Sequence, residues 1–279
     1  MKKFNVVLAA SAMALALAGC TSVDSVEDAV NEAVDNAVEQ VEDTVENAAD
    51  DLQDAVDDAQ DAIDDVVDQI VDDPAVKSEG VISYADYVAA AVDDEVVIEC
   101  YVQATQSWWD NKISVYAADV DGAYFIYNME CSEEDAAKLT EGTKIKVTGF
   151  RAEWAGEVEV AEGATFEFLD GNYVAAAKDV TEFVGTDDLA NYINQKVTFT
   201  GATVKAVSYK NDTPGDDIYV TLTINDVDVE FCLEYYLNGS DEEFYNLVGG
   251  LEEGTTVDVE CFLYWYNGAD GHLTAVTVK

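Results

Sequence analysis

The chain has 279 residues, 49% of them hydrophobic, with 10 Phe and 15 Tyr, enough apolar side chain for two modest cores. Its 59 Asp and Glu against 13 Lys and Arg leave a formal net charge of −46. Such a field repels phosphate backbones and anionic lipid surfaces, and it attracts cations and basic partners. The acidity is not confined to one tail, because the residues beyond 80 still hold 38 acidic side chains against 10 basic ones.

Lys2 and Lys3 open the chain, and Val6 to Ala18 is apolar apart from Ser11, too short to span a bilayer. Leu17-Ala18-Gly19-Cys20 closes this stretch. It resembles the lipobox of bacterial lipoproteins. The resemblance implies that residues 1–19 are a signal peptide and that Cys20 becomes a lipidated N-terminus. Two or more acyl chains would hold the protein on the extracytoplasmic face of a cell membrane.

Residues 21–73 contain no Gly or Pro, and apolar residues recur every eleven positions, as in Val30, Val41, Leu52 and Ile63. That period predicts a nearly straight acidic α-helical stalk, about 75 Å long at 1.5 Å per residue. Its polar face lacks the Lys and Arg of a membrane-lying helix. A spacer is the expected role, with self-association through the Val/Ala stripe as the competing one. Asp72-Asp73-Pro74 ends the helix, and residues 20–79 are assigned to lipidated cysteine, stalk and linker.

The period then changes from helical to alternating. A lead-in segment at Tyr84–Ala91 precedes strands through Val96–Val102, Ile113–Ala117 and Phe125–Met129, with Asp121-Gly122 as a hairpin turn. Ser132 caps a helix to Leu139, and Lys144–Thr148 is a fourth strand. Thr165–Leu169 is the predicted fifth. The order repeats about a hundred residues later, with Asp187–Tyr192, Val197–Val204, Tyr219–Ile224, Val227–Leu233, a helix at Asp241–Leu247, and Val257–Cys261. Glu253-Gly254-Thr255 repeats Glu141-Gly142-Thr143.

Three strands, a helix and two strands is the order of the OB-fold barrel. The predicted fold is therefore mainly β: two tandem OB-like five-stranded barrels, residues 80–178 and 179–279, preceded by the stalk. The segment Val115 to Phe125 resembles the second hairpin of OB domains in bacterial secreted nucleases and uncharacterised surface lipoproteins.

OB barrels bind across strands 2 and 3, between the loops joining strands 1–2 and 4–5. If Ile113, Val115 and Ala117 face inward, Lys112, Ser114 and Tyr116 face out, and so do Tyr124, Ile126 and Asn128 on the next strand. Trp108 and Trp109 lie in one loop, Arg151, Glu153 and Trp154 near the other. The candidate ligand residues are thus Trp108, Trp109, Tyr116, Tyr124, Arg151 and Trp154. A glycan or peptide is the expected ligand, and nucleic acid is not an expected partner, because the few cations give no basic groove. An extracellular nucleic-acid binder and a purely structural envelope spacer stand as alternatives.

The outward positions of the second barrel are Tyr219, Thr221, Thr223, Asp228, Glu230 and Cys232, a polar and acidic face. No enzyme is expected, since His272 is the single histidine, read as lying in a turn, and no nucleophile motif stands out. No cofactor or metal is expected. Asp119-Val120-Asp121-Gly122 and Asp212, Asp216 and Asp217 read as turns. Cys100, Cys131, Cys232 and Cys261 are expected as buried free thiols.

Overall fold

The structure is a computed structural model that describes residues 73–279. The expected lipidation at Cys20 and the expected stalk, except its last residue Asp73, fall outside the described residues. Both barrels belong to one compact unit, Gln69–Lys279. Among the described residues no helix is long and apolar enough to cross a membrane.

Barrel 1 begins with the short helix α1 (Tyr84–Ala89), whose N-cap Ser83 accepts from the Asp86 N–H at 3.1 Å. Strands β1 (Glu95–Thr105), β2 (Lys112–Ala118) and β3 (Ala123–Glu130) form an antiparallel meander. Helix α2 (Glu133–Ala136) follows, capped by Ser132 on the Asp135 N–H. Then come β4 (Thr143–Trp154), β5 (Glu157–Val160) and β6 (Thr165–Asn172). The order β1-β2-β3-β5-β4 closes through β1–β4, with β3 and β5 parallel, which is the OB barrel.

The fifth barrel strand is therefore Glu157–Val160, and the predicted one at Thr165–Leu169 is an extra strand laid on β4. The Ala155-Gly156 turn, with φ of 54° and 94°, makes the tight β4–β5 hairpin. A strand of four residues gives too short an alternation to stand out.

Barrel 2 repeats the topology. A two-residue strand β7 (Lys178–Asp179) pairs with β8 (Lys196–Tyr209), which is followed by β9 (Ile218–Ile224) and β10 (Val227–Leu233). The Asn225-Asp226 turn has φ of 52° and 64°, the two-residue hairpin those residue types favour. Helices α3 (Tyr235–Asn238) and α4 (Glu242–Gly249) precede β11 (Thr256–Trp265) and β12 (Ala269–Val278). Again the third and fifth strands, β10 and β12, are parallel, and β11 closes on β8. The lead-in at Asp187–Tyr192 is a 3-10 helix.

Each barrel has its own core. Ile98, Val115, Ile126 and Val147 fill the first, and Phe199, Leu222, Phe231 and Leu263 the second. Cys100, Cys131, Cys232 and Cys261 are buried free thiols, as expected. Burial pushes the Cys131 thiol up to about 11, so it stays protonated and unreactive at neutral pH.

A buried polar network joins the entry segment to barrel 1. Lys77 pairs with Asp119 and donates to the Glu99 carbonyl at 3.1 Å, while the Ser78 N–H reaches the Glu99 carboxylate at 3.3 Å. Lys144 pairs with the same carboxylate at 3.4 Å. The Asp119 Oδ1 also accepts from the Asp121 and Gly122 N–H groups, so this turn is held by its own side chain.

A third apolar cluster lies between the barrels, made of Tyr116 and Phe125 from β2–β3 and Phe262 from β11, with Tyr264 against it. Tyr116 stacks on Phe262 with ring centroids 4.6 Å apart, and Phe125 meets Tyr264 edge-on at 5.4 Å. Backbone bonds cross the same seam: Asn267 N–H to the Ala155 carbonyl at 2.7 Å, and Ser107 N–H to the Tyr236 carbonyl at 2.7 Å. Gly156 packs so closely here that a Cβ would lie 2.9 Å from Trp265 Cδ1.

Candidate functional site

The β2–β3 face of barrel 1 is divided by the docking of barrel 2. One half, built on Tyr116 and Phe125, is covered. The other half, built on Tyr127 of β3, is open and bordered by the two loops that flank this face in OB barrels.

Tyr127 continues the outward side set by Phe125, and a local irregularity follows it. Directly paired residues share a face, so Ala117 and Val115 in the core bring Tyr124 and Ile126 in with them, and Tyr116 pairs outward with Phe125. Asn128 then adopts φ 45° beside a register shift between Ile113 and Val115. Past this bulge Met129 returns to the core, while Tyr127 stays outside. The expectation that Tyr124, Ile126 and Asn128 face out is thus corrected. Tyr124 and Ile126 are core residues, and a one-residue offset exchanges the two faces.

The six predicted ligand residues separate accordingly. Trp109, in the β1–β2 loop, is 65% exposed, and Trp154, at the end of β4, is 61% exposed. Trp108 is half-buried and donates from Nε1 to the Cys131 carbonyl at 2.8 Å, which fixes the loop that presents Trp109. Tyr116 and Tyr124 are buried, the latter donating to Asp119 Oδ2 at 2.6 Å. Arg151 is buried and paired with Glu153 at 3.1 Å. Only the two exposed indoles remain available on this face.

Three further aromatic rings join them. A groove of about 450 Å³ is lined by Gln106, Trp109, Ile113, Tyr127 and Tyr236. A second hollow of about 340 Å³ is lined by Tyr127, Trp154, Glu159 and Tyr264. Tyr127 belongs to both, so the row Tyr236–Trp109–Tyr127–Trp154–Tyr264 follows the seam. Tyr236 and Tyr264 come from barrel 2, and no pattern within one barrel points to them. The cluster Tyr264-Trp265-Tyr266 is the only sequence signal, and it does not say which surface it meets.

The electrostatics of the surface are one-sided. Of the eleven Lys and Arg side chains among the described residues, ten are ion-paired to carboxylates, Lys112 with Glu162 beside the groove among them. Lys178 instead lies 4.4 Å from the centroid of the Tyr192 ring. Near the row, burial pushes the Glu159 carboxyl up to about 7.

His272 lies not in a turn but in β12, at the seam. Its Nδ1 is 2.6 Å from the Tyr116 hydroxyl, which also accepts from Gln106 Nε2 at 3.3 Å. The tautomer of the ring sets which of Nδ1 and the hydroxyl donates. Burial lowers its pKa to about 4, so the ring is neutral near pH 7. Among the described residues no group of acidic, Cys or His side chains is arranged to hold a metal ion. Asp216 and Asp217 are instead paired with Lys210 at 3.2 and 2.9 Å.

No family model and no curated protein matches this sequence. Among solved structures, the chain is similar to p202 HIN1 in complex with 12-mer dsDNA, at 13% identity and TM-score 0.33, over 74% of this chain and 99% of that one. It is similar to a murine DNA-binding protein bound with dsDNA, at 10% identity and TM-score 0.33, over 66% and 94%. It is also similar to a replication protein A heterotrimer bound to ssDNA, at 13% identity and TM-score 0.28, over 73% and 51%. No residue role is carried over from them. Two expectations are nonetheless corrected. The glycan or peptide ligand expected across this face is set aside, because barrel 2 covers Tyr116 and Phe125 and Tyr124 lies in the core. Nucleic acid, expected not to be a partner, is what these three structures hold, and at such TM-scores the likeness assigns no ligand to this chain.

Proposed function

We propose that this chain is a non-enzymatic binder of single-stranded nucleic acid, held at the extracytoplasmic face of a membrane through lipid on Cys20. The observation that carries the reading is the exposure of Trp109 and Trp154 on the two loops flanking the OB face, with Tyr127 between them. Bases stack on such rings without sequence preference, at about 1–3 kcal/mol per base. The ion-paired cations leave little to neutralise phosphate, so affinity rests on stacking. That separates this protein from binders driven by counterion release.

The test is titration of the full chain with a short single-stranded DNA at several salt concentrations. Trp109→Ala and Trp154→Ala are each expected to weaken binding by about 5- to 100-fold, as loss of one stacked base requires. Affinity is expected to rise, not fall, as salt first screens the acidic field, whose reach shrinks from about 30 Å at 0.01 M to about 8 Å at 0.15 M. Binding that survives both substitutions, or falls steeply with salt, would sink the proposal. No binding at any salt leaves the spacer reading, which the near-complete pairing of the cations favours.

The anchor has its own check. Cys20→Ala is expected to abolish incorporation of labelled fatty acid and move the protein from the membrane to the soluble fraction. Label retained in the variant would refute lipidation at this residue.

A further inference from the structure

Glu157 is the most unusual group at the seam. It opens β5 and is fully buried, yet among the described residues no Lys or Arg pairs with it. Its Oε2 accepts from the Trp265 N–H of barrel 2 at 2.8 Å, and its Oε1 has no hydrogen-bond partner. The Asn194 carboxamide of barrel 2 lies beside it and spans to the Val158 carbonyl at 3.0 Å. An ionised carboxylate held by the Trp265 N–H and the neighbouring Asn194 carboxamide, with no cation, would still cost several kcal/mol in such a place. A protonated carboxyl keeps the Trp265 bond and removes the charge.

We propose that protonated Glu157 latches barrel 2 over the Tyr116–Phe125 half of the OB face, and that loss of this proton releases the cover. Barrel 2 is then an autoinhibitory lid on barrel 1. The face uncovered is the continuation of the open aromatic row, so release would lengthen that row by Tyr116 and Phe125. The latch operates whatever stacks on Trp109 and Trp154.

The groups that face Glu157 fit this direction. Glu159 approaches along β5, Tyr84 and Tyr87 from α1, and Tyr264 from β11. Arg151, on β4 nearby, is committed to Glu153. Burial pushes Glu157 up to about 8, with Glu159 adding in the same sense. Glu159, Glu234 and Asp270 are each raised to about 7 by burial. A carboxyl whose pKa is higher in the docked state stabilises docking below its free value and loses that contribution as pH rises through the docked one. His272 acts oppositely, since its lowered pKa makes docking improve as pH rises from about 4 to its ordinary value near 6.5. Above pH 6.5 only the carboxyls remain, and docking weakens.

Three amides report the latch directly, because each bonds across the seam: Ser107, Trp265 and Asn267. Their exchange in the full chain, corrected for the intrinsic pH dependence of amide exchange, gives the opening equilibrium. It is expected to rise up to about tenfold per pH unit for each proton lost, between pH 6.5 and 8. In Glu157→Gln, which stays neutral, the rise is expected to shrink by that one-proton share. An infrared band of a protonated carboxyl in the unaltered protein should vanish over the same range, whether or not the variant folds. Opening that is flat with pH, a variant that follows the parent, or no protonated carboxyl at pH 6.5 would each overturn the latch.

Discussion

Replacing Phe262 with alanine is expected to uncouple the two barrels. Phe262 is 2% exposed although it points away from the core of its own barrel, because it fills the space over Tyr116. Truncating a buried Phe costs about 3–5 kcal/mol, since transfer and cavity terms add. Here most of that loss falls on the contact between barrels and little on either core. Calorimetry should therefore show the single unfolding transition of the parent split into two. The less stable barrel should melt about 10 °C lower, from roughly 2–4 °C per kcal/mol at this size. Phe262→Leu should retain one transition. A single, unshifted transition in Phe262→Ala would mean that the seam contributes nothing to stability.

The second large effect is expected from Lys144→Ala. Its ammonium is the side-chain partner of Glu99, whose side chain is only 1% exposed. Removing one member of a buried pair leaves an uncompensated charge, and the usual loss is about 3–5 kcal/mol. Lys77 lies near enough to Glu99 to soften this, so about 3 kcal/mol is expected. Urea unfolding followed by the indoles of barrel 1 measures it. Replacing both residues, as Glu99→Leu with Lys144→Leu, should recover much of the loss, because two matched apolar groups leave no charge behind. A change below about 0.5 kcal/mol in the single variant would place this pair with ordinary surface ion pairs.

Much of the barrel architecture is legible in the residues. Alternation fixes β1, β2, β9 and β10, the turn pairs Asp121-Gly122 and Asn225-Asp226 fix their hairpins, and Ser132 and Asp241 mark their helices. The exceptions have identifiable causes. Glu157–Val160 is too short to carry a pattern, and its first residue is a buried acid where an apolar one would be expected. The faces of β3 are misread because the bulge at Asn128 changes the alternation midway.

The site was less legible for a different reason. Trp109 and Trp154 can be placed from loop position alone, since the flanking loops follow from the strand order. Tyr116, by contrast, satisfies every rule for an outward residue and is outward, yet a second barrel covers it. Alternation within a strand says which side a residue faces and nothing about what lies against that side. Phe262 and Tyr264 look like surface aromatics until Tyr116 and Phe125 are placed opposite them.

The buried network at the entry to barrel 1 has a mechanical consequence. Lys77 and Ser78 are fastened to Asp119 and Glu99, on two different parts of the barrel wall, before α1 begins. Tension applied from the N-terminal side is therefore borne by those attachments and loads the wall in shear, where several bonds must fail together. Residues 79–83 are shielded from the pull and cannot serve as a swivel. The entry segment is thus part of the barrel wall from Lys77 onward, and removing Lys77 and Ser78 should loosen β1 and the Asp119 turn together.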